Sequence, residues 1–254
     1  MNNLGGLLIG RALIFLLSLF LATPLLLSST AQAKIYDDFS GTTIDPAKWN
    51  LSVNSGPPGQ FWQNKGLYYS GSTGNGDSSL TSPKSIKEIS GASNFVVTVQ
   101  FREFSSTTSY PPDYVGPSSQ FRVTIHPPST HDTVAVFRAV TPMGPVDGAE
   151  HQFCAIYQNI DTNEFHGYVH KNTSATSGQL RLSLAGGVVT ASYNETLDPK
   201  TGWQQLATFT PSWGSDSPIL ILGGTDAVNG TTTFEVDKVS ITSSSMPPLL
   251  LLID

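Results

Sequence analysis

From Gln179 to Pro211 the chain reads QLRLSLAGGVVTASYNETLDPKTGWQQLATFTP, and apolar residues recur there at every second position. Leu180, Leu182 and Leu184 alternate with Arg181 and Ser183, so one side of an extended segment is oily and the other wet. Ala185-Gly186-Gly187 supplies the freely turning backbone of a tight hairpin. Val189, Ala191 and Tyr193 continue the alternation until Asp198-Pro199-Lys200-Thr201-Gly202 breaks it. Trp203, Leu206 and Phe209 open a third strand. The stretch predicts three short antiparallel strands.

The same period runs elsewhere. In NFVVTVQFREF, Phe95, Val97, Val99 and Phe101 share one side, with Thr98, Gln100 and Arg102 on the other. SQFRVTIH buries Phe121, Val123 and Ile125 and leaves Arg122 and His126 outward. TVAVFRAVT is apolar on both sides apart from Arg138, so its facing stays open. HQFCAIYQNI and EFHGYVHK form a pair turned at Asp161–Asn163, with Phe165 and Val169 inward and His166, Tyr168 and His170 opposite. GQFWQNKGLYYSG places Trp62, Tyr68 and Tyr69 around a short strand pair. SSTTSYPPDYVGPSS is a long excursion that exposes Tyr110 and Tyr114. SPILILGG and TTTFEVDKVSIT close the pattern, the latter through Phe234, Val236, Val239 and Ile241.

Composition agrees with many strands joined by tight turns: charged residues are 13% of 254, beside 23 Gly and 17 Pro. Arg11, the apolar run Ala12–Leu21 and the small residues of Ala31-Gln32-Ala33 predict a signal peptide over residues 1–33 and a mature start at Lys34. One domain of sandwich size follows over 34–242, then a tail over 243–254 that is too short to span a bilayer. The predicted location is secreted or extracellular. Lys and Arg number 13 against 19 Asp and Glu, an acidic balance that argues against nucleic acid as a partner. Cys154 is the only cysteine, so no intrachain disulfide forms and core burial must stabilise the fold. It reads as a small buried hydrophobe.

The strand ending in a Gly turn, the strand ending in Ser192-Tyr193-Asn194, and Gly202-Trp203 before Leu206 resemble the concanavalin A-like lectin/glucanase superfamily, in its laminin-G-like and glucanase-like branches. Asp37-Asp38-Phe39, Asp45-Pro46 and Trp49 near the start resemble the opening of glucanase-like jelly rolls. The resemblance implies an all-β, two-sheet antiparallel β-sandwich of jelly-roll type, with the first strand pairing near the last and Trp49 anchoring the loop. It also implies a structural calcium ion, for which Asp237 of the last strand and Asp38 are the matching residues. Laminarinase-type members carry E-x-D-x-x-E on one strand, which sets two Glu about 5 Å apart as nucleophile and acid/base. That spacing is missing, and Glu235-Val236-Asp237 is the nearest fragment. The resemblance therefore implies the fold without the catalytic machinery.

A binding face remains. Arg102, Arg122, Arg138 and Arg181 are the arginines beyond the leader, and Arg102, Arg122 and Arg181 fall opposite clear apolar faces. With His166, Tyr168 and His170, and with Trp62 and Tyr68 as stacking surfaces, they predict a glycan-binding face for acidic polysaccharide, since guanidinium groups bind carboxylates and sulfates bidentately. His166 and His170 lie about 13 Å apart on a strand, too far to share zinc. The leading expectation is a secreted, non-catalytic, lectin-like module with a glycan partner. The alternatives are a glycoside hydrolase or polysaccharide lyase with displaced carboxylates, and a surface protein that binds other proteins. Sequons begin at Asn50, Asn172, Asn194 and Asn229.

Overall fold

The computed structural model describes residues 33–55, 60–72, 77–82, 89, 94–113, 118–129, 132–142, 149–159, 162, 164–213, 218–225 and 230–244. The leader, Tyr114, Asp161, Asn163, Asn229 and the end of the tail lie outside the described residues. No helix occurs among those described. The strands in chain order are β1 (Lys34–Asp37), β2 (Asn50–Ser55), β3 (Gln60–Gln63), β4 (Leu67–Ser72) and β5 (Asp77–Thr81). Next come β6 (Asn94–Ser106), β7 (Ser119–His126), β8 (Asp132–Pro142), β9 (Ala149–Asn159) and β10 (Glu164–Asn172). The last are β11 (Gly178–Ala185), β12 (Val188–Asn194), β13 (Gln204–Phe209), β14 (Ile219–Thr225) and β15 (Thr231–Ser244).

They form two antiparallel sheets. One has eight strands in the order β13-β12-β11-β6-β15-β4-β3, with β1 also paired to β15, so the first strand meets the last as expected. The other has seven, in the order β10-β9-β8-β7-β14-β5-β2. Alternation fills the space between them. Val97, Leu182, Ala191 and Ala207 stand opposite one another across β6, β11, β12 and β13, and all four are buried. Aromatic rings join the two layers: Phe121 meets Phe234 at 4.6 Å and Phe153 stacks on Tyr193 at 4.4 Å between centroids.

Buried polar side chains hold the turns. Asn194 is fully buried; its Nδ2 donates to Asp198 O at 2.8 Å and Thr201 O at 2.7 Å, while its Oδ1 accepts from Thr196 N at 2.9 Å. A Cβ on Gly202, whose φ is +81°, would stand 2.7 Å from that Oδ1. The Asn194 and Gly202 of the motif are thus two halves of one turn. Trp49 is also an anchor: its Nε1 donates to buried Asp37 at 2.8 Å and its ring stacks on Phe39.

Two facings differ from the expected ones. Tyr110 is buried rather than exposed, because its hydroxyl donates to Val140 O and accepts from Ser119 N, both at 2.7 Å. In β10 a bulge between Phe165 and Gly167 reverses the alternation. Phe165 therefore lies on the outer face with Tyr168, and the His166 ring meets Tyr157 at 4.6 Å between centroids, tilted by 33°, on the opposite side.

Candidate functional site: a groove on the seven-stranded sheet

A groove of about 430 Å³ crosses the outer face of the seven-stranded sheet from β14 to β10. Its floor is Ala135, Phe137, Ile156 and Ile221, and its polar groups include Gln120, Arg122, Gln158 and Tyr168. The two-sided apolar pattern of β8 builds that floor. Val134, Val136 and Val140 face the main core, while Ala135, Phe137 and Ala139 form a second apolar cluster with Cys154 on the outer side.

Among the described residues, Arg122 is the only cationic or carboxylate side chain lining the groove. It lies across β14 at Gly223, its register partner, where a Cβ would stand 2.4 Å from Arg122 Nε and 2.7 Å from Cγ. Glycine is required here by close approach. Tyr168, about half exposed, closes the far end. Its hydroxyl contacts Cys154 Sγ at 3.3 Å, which fixes the ring over the sheet. Burial, then the neighbouring Cys154, pushes the Tyr168 pKa well up, so the phenol stays protonated as a donor and acceptor. His170 stands beside Tyr168 at 5.6 Å between ring centroids.

The remaining expected site residues are elsewhere. Trp62, Tyr68, Arg102 and Arg181 belong to β3, β4, β6 and β11 of the eight-stranded sheet. Arg102 pairs with Asp237, and the Arg181 guanidinium lies 3.4 Å over the Trp203 ring. The sequence shows which side of its own strand a residue takes, but not which sheet the strand joins. Arg138 leaves the set altogether. It is buried between the sheets, its guanidinium 4.6 Å from the Phe104 ring centroid, with Nε donating to Ala175 O at 2.9 Å and Nη1 to Ala139 O at 2.7 Å. Burial lowers its pKa to about 10, so it is still charged at neutral pH.

Each member of the pair expected for calcium, Asp38 and Asp237, has polar partners of its own. Asp38 is turned to Ser40, accepting from its N at 3.1 Å and its Oγ at 2.8 Å, which lowers the Asp38 pKa. Asp237 takes the Arg102 guanidinium and the Gln100 amide. A cation already bonded to one of the two carboxylates opposes a divalent ion there. Among the described residues, no group of three His, Cys, Asp or Glu side chains is placed to hold a metal.

No protein-family model and no curated protein sequence matches the chain. Solved structures do. The legume lectin-like domain from Entamoeba histolytica has a TM-score of 0.53 at 8% identity, over 78% of this chain and 91% of that one. The VIP36 exoplasmic/lumenal domain in its Ca²⁺/Man-bound form gives 0.52 at 9%, over 87% and 93%. The CBM2 module of an evolved Dit from Lactobacillus casei BL23 phage J-1 gives 0.54 at 12%, over 85% and 98%. The chain has a concanavalin A-like, lectin-type fold. At these identities the likeness concerns the fold, and the site must be read from this chain's own residues.

Within the sandwich, Arg122 and Tyr168 of the expected face line this groove, and sequence reasoning did not single out Gln120, Phe137, Ile156, Gln158 and Phe165, which line it too. The signal for Phe137 was present in the apolar outer side of TVAVFRAVT. No local signal marked Phe165, whose facing depends on the bulge.

Proposed function

We propose that this chain is a non-catalytic, lectin-like carbohydrate-binding module that acts outside the cytoplasm, with an acidic polysaccharide lying in the groove of the seven-stranded sheet. The observation that carries this reading is Arg122, the single cation among the described lining side chains, set over an apolar floor between side-chain amides and Tyr168. A guanidinium binds a uronate carboxylate through two parallel hydrogen bonds, amides and the phenol bond hydroxyls, and the apolar floor covers the C–H face of a sugar ring. Export is supported by the leader-like residues 1–33. The VIP36 domain has been seen both with Ca²⁺ and metal-free, so binding is measured in calcium and in EDTA.

The test is calorimetric titration with oligouronates and with neutral β-glucan oligosaccharides of equal length. Wild type binds the uronates, Arg122→Ala loses about tenfold or more in affinity, and Arg181→Ala on the other sheet loses none. Equal affinity of wild type and Arg122→Ala would remove the proposal. Release of reducing ends during the titration would replace it with a glycan-cleaving enzyme.

A further inference from the structure

A second aromatic site sits on the opposite sheet. Trp62 of β3 and Tyr68 of β4 are register partners, stacked at 5.7 Å with 19° between their planes. Trp62 is 46% exposed, and β3 is an edge strand. The row continues through Glu235 of β15 to Arg102 of β6. Two bulges in β15 bracket Glu235 of that row, one between Thr233 and Glu235 and one between Val236 and Lys238, and the second contains Asp237. Bulges of this kind re-aim side chains.

The acids meet the aromatic pair. The Tyr68 hydroxyl bonds Glu235, and Glu103 and Asp237 are close enough to raise its pKa further, after burial as the largest cause. Gly66 makes room for this contact, since a Cβ there would stand 2.4 Å from Glu235 Oε1 and 3.0 Å from the Tyr68 hydroxyl. Glu103 holds a left-handed backbone, φ 54°, that a side chain rarely adopts. Arg102 takes up Asp237. With Asp237 taken by Arg102, Glu235 is the carboxylate bonded to the aromatic pair; Lys65 of the β3–β4 turn and Lys238 of β15 are the neighbouring lysines.

From an exposed indole stacked on a phenol and ringed by carboxylates, we infer a second glycan site, specific for amino sugars with a free, protonated amine. The sugar's C–H face covers Trp62 and its ammonium lies among the ring faces, Glu235 and Glu103. An ammonium is attracted by both the aromatic quadrupole and the carboxylates. A uronate is repelled by Glu235, so the two faces of the sandwich divide glycans by charge. The site does not depend on the groove being correctly assigned.

The test is titration of the full chain with a glucosamine hexamer, its N-acetylated counterpart, and lysine oligomers of equal charge. The glucosamine hexamer binds, and the acetylated hexamer binds about tenfold more weakly or worse. Trp62→Ala and Glu235→Gln each weaken glucosamine binding about tenfold, Trp62→Phe retains part of it, and Arg122→Ala leaves it unchanged. Far-UV circular dichroism confirms that the variants keep their sheets. Equal binding of free and acetylated hexamers, or full binding by Trp62→Ala, overturns the inference. Tighter binding of lysine oligomers overturns it in favour of a basic protein partner. Loss of uronate binding by Arg122→Ala bears on the groove alone.

Discussion

At the scale of single residues, two close approaches and one buried cation carry most of the testable content. Gly223→Ala drives a methyl into the Arg122 side chain. It should weaken uronate binding nearly as much as Arg122→Ala, while thermal unfolding of Arg122→Ala stays close to wild type. Arg138 has a different role, because its guanidinium serves two backbone carbonyls inside the sandwich. Arg138→Ala leaves a cavity and orphaned acceptors and should cost about 3 kcal/mol or more in chemical denaturation. Arg138 Nη2 also lies 3.0 Å from His151 Nδ1. A guanidinium only donates, so Nδ1 accepts and His151 is neutral with its proton on Nε2. Burial, then the Arg138 charge, lowers the His151 pKa below its ordinary 6.5. The unfolded chain then takes up a proton that the folded one refuses. The stability contributed is present above about pH 6.5 and drains away as pH falls toward the lower folded value. Denaturation curves between pH 7 and 5 should show a steeper loss for wild type than for His151→Gln; parallel losses would contradict this linkage.

At the scale of elements, turns and bulges decide where the strands present their residues. The Asn194 side chain closes the loop between β12 and β13 through bonds to Asp198, Thr196 and Thr201. Asn194→Ala strips a fully buried turn of its partners and should cost about 2 kcal/mol, read as a shift in denaturation midpoint at constant slope. The same bonds occupy the Nδ2 that N-glycosylation would modify, so the sequon at Asn194 is a structural turn. The β10 bulge has a sharper consequence. Deleting His166, the extra residue, removes the bulge but leaves Phe165 opposite Gln158 on the outer face, so the groove wall should persist and uronate affinity should stay near wild type while the His166–Tyr157 ring contact is lost. Gly167 permits the present path, because a Cβ there would meet the Phe209 ring at 2.9 Å.

At the scale of the whole molecule, one core holds both sheets, and the two outer faces carry different chemistry. The groove face presents one guanidinium among amides and rings, whereas the opposite face presents an aromatic stack among carboxylates. The sandwich that separates them is stabilised without a disulfide, and Cys154 lies buried beneath Tyr168. Burial pushes its thiol up to about 12, so the reactive thiolate is scarce in the folded state. Alkylation of Cys154 should therefore be slow in native buffer and should accelerate in step with global unfolding across a denaturant series. Rapid labelling of the native chain would show that β9 and β10 open separately from the rest.

Two-residue alternation, by itself, determined that this chain forms strands and, for most of them, which residues are buried; the meeting of the two ends was an implication of the family resemblance. Strand formation and burial depend on neighbours along the backbone: the inner row of Val97, Leu182 and Ala191 could be read one strand at a time. The Asn194 and Gly202 pair was likewise visible as a motif, although its bonds were not. Only the tertiary structure decided that Arg102 and Arg181 share one sheet while Arg122 lies on the other, because sheet membership depends on pairings between segments far apart in sequence. It alone turned Arg138 inward, where carbonyls and aromatic rings from other elements compensate its lost hydration. It alone moved Phe165 outward, since one extra residue in an edge strand exchanges the two sides of everything before it.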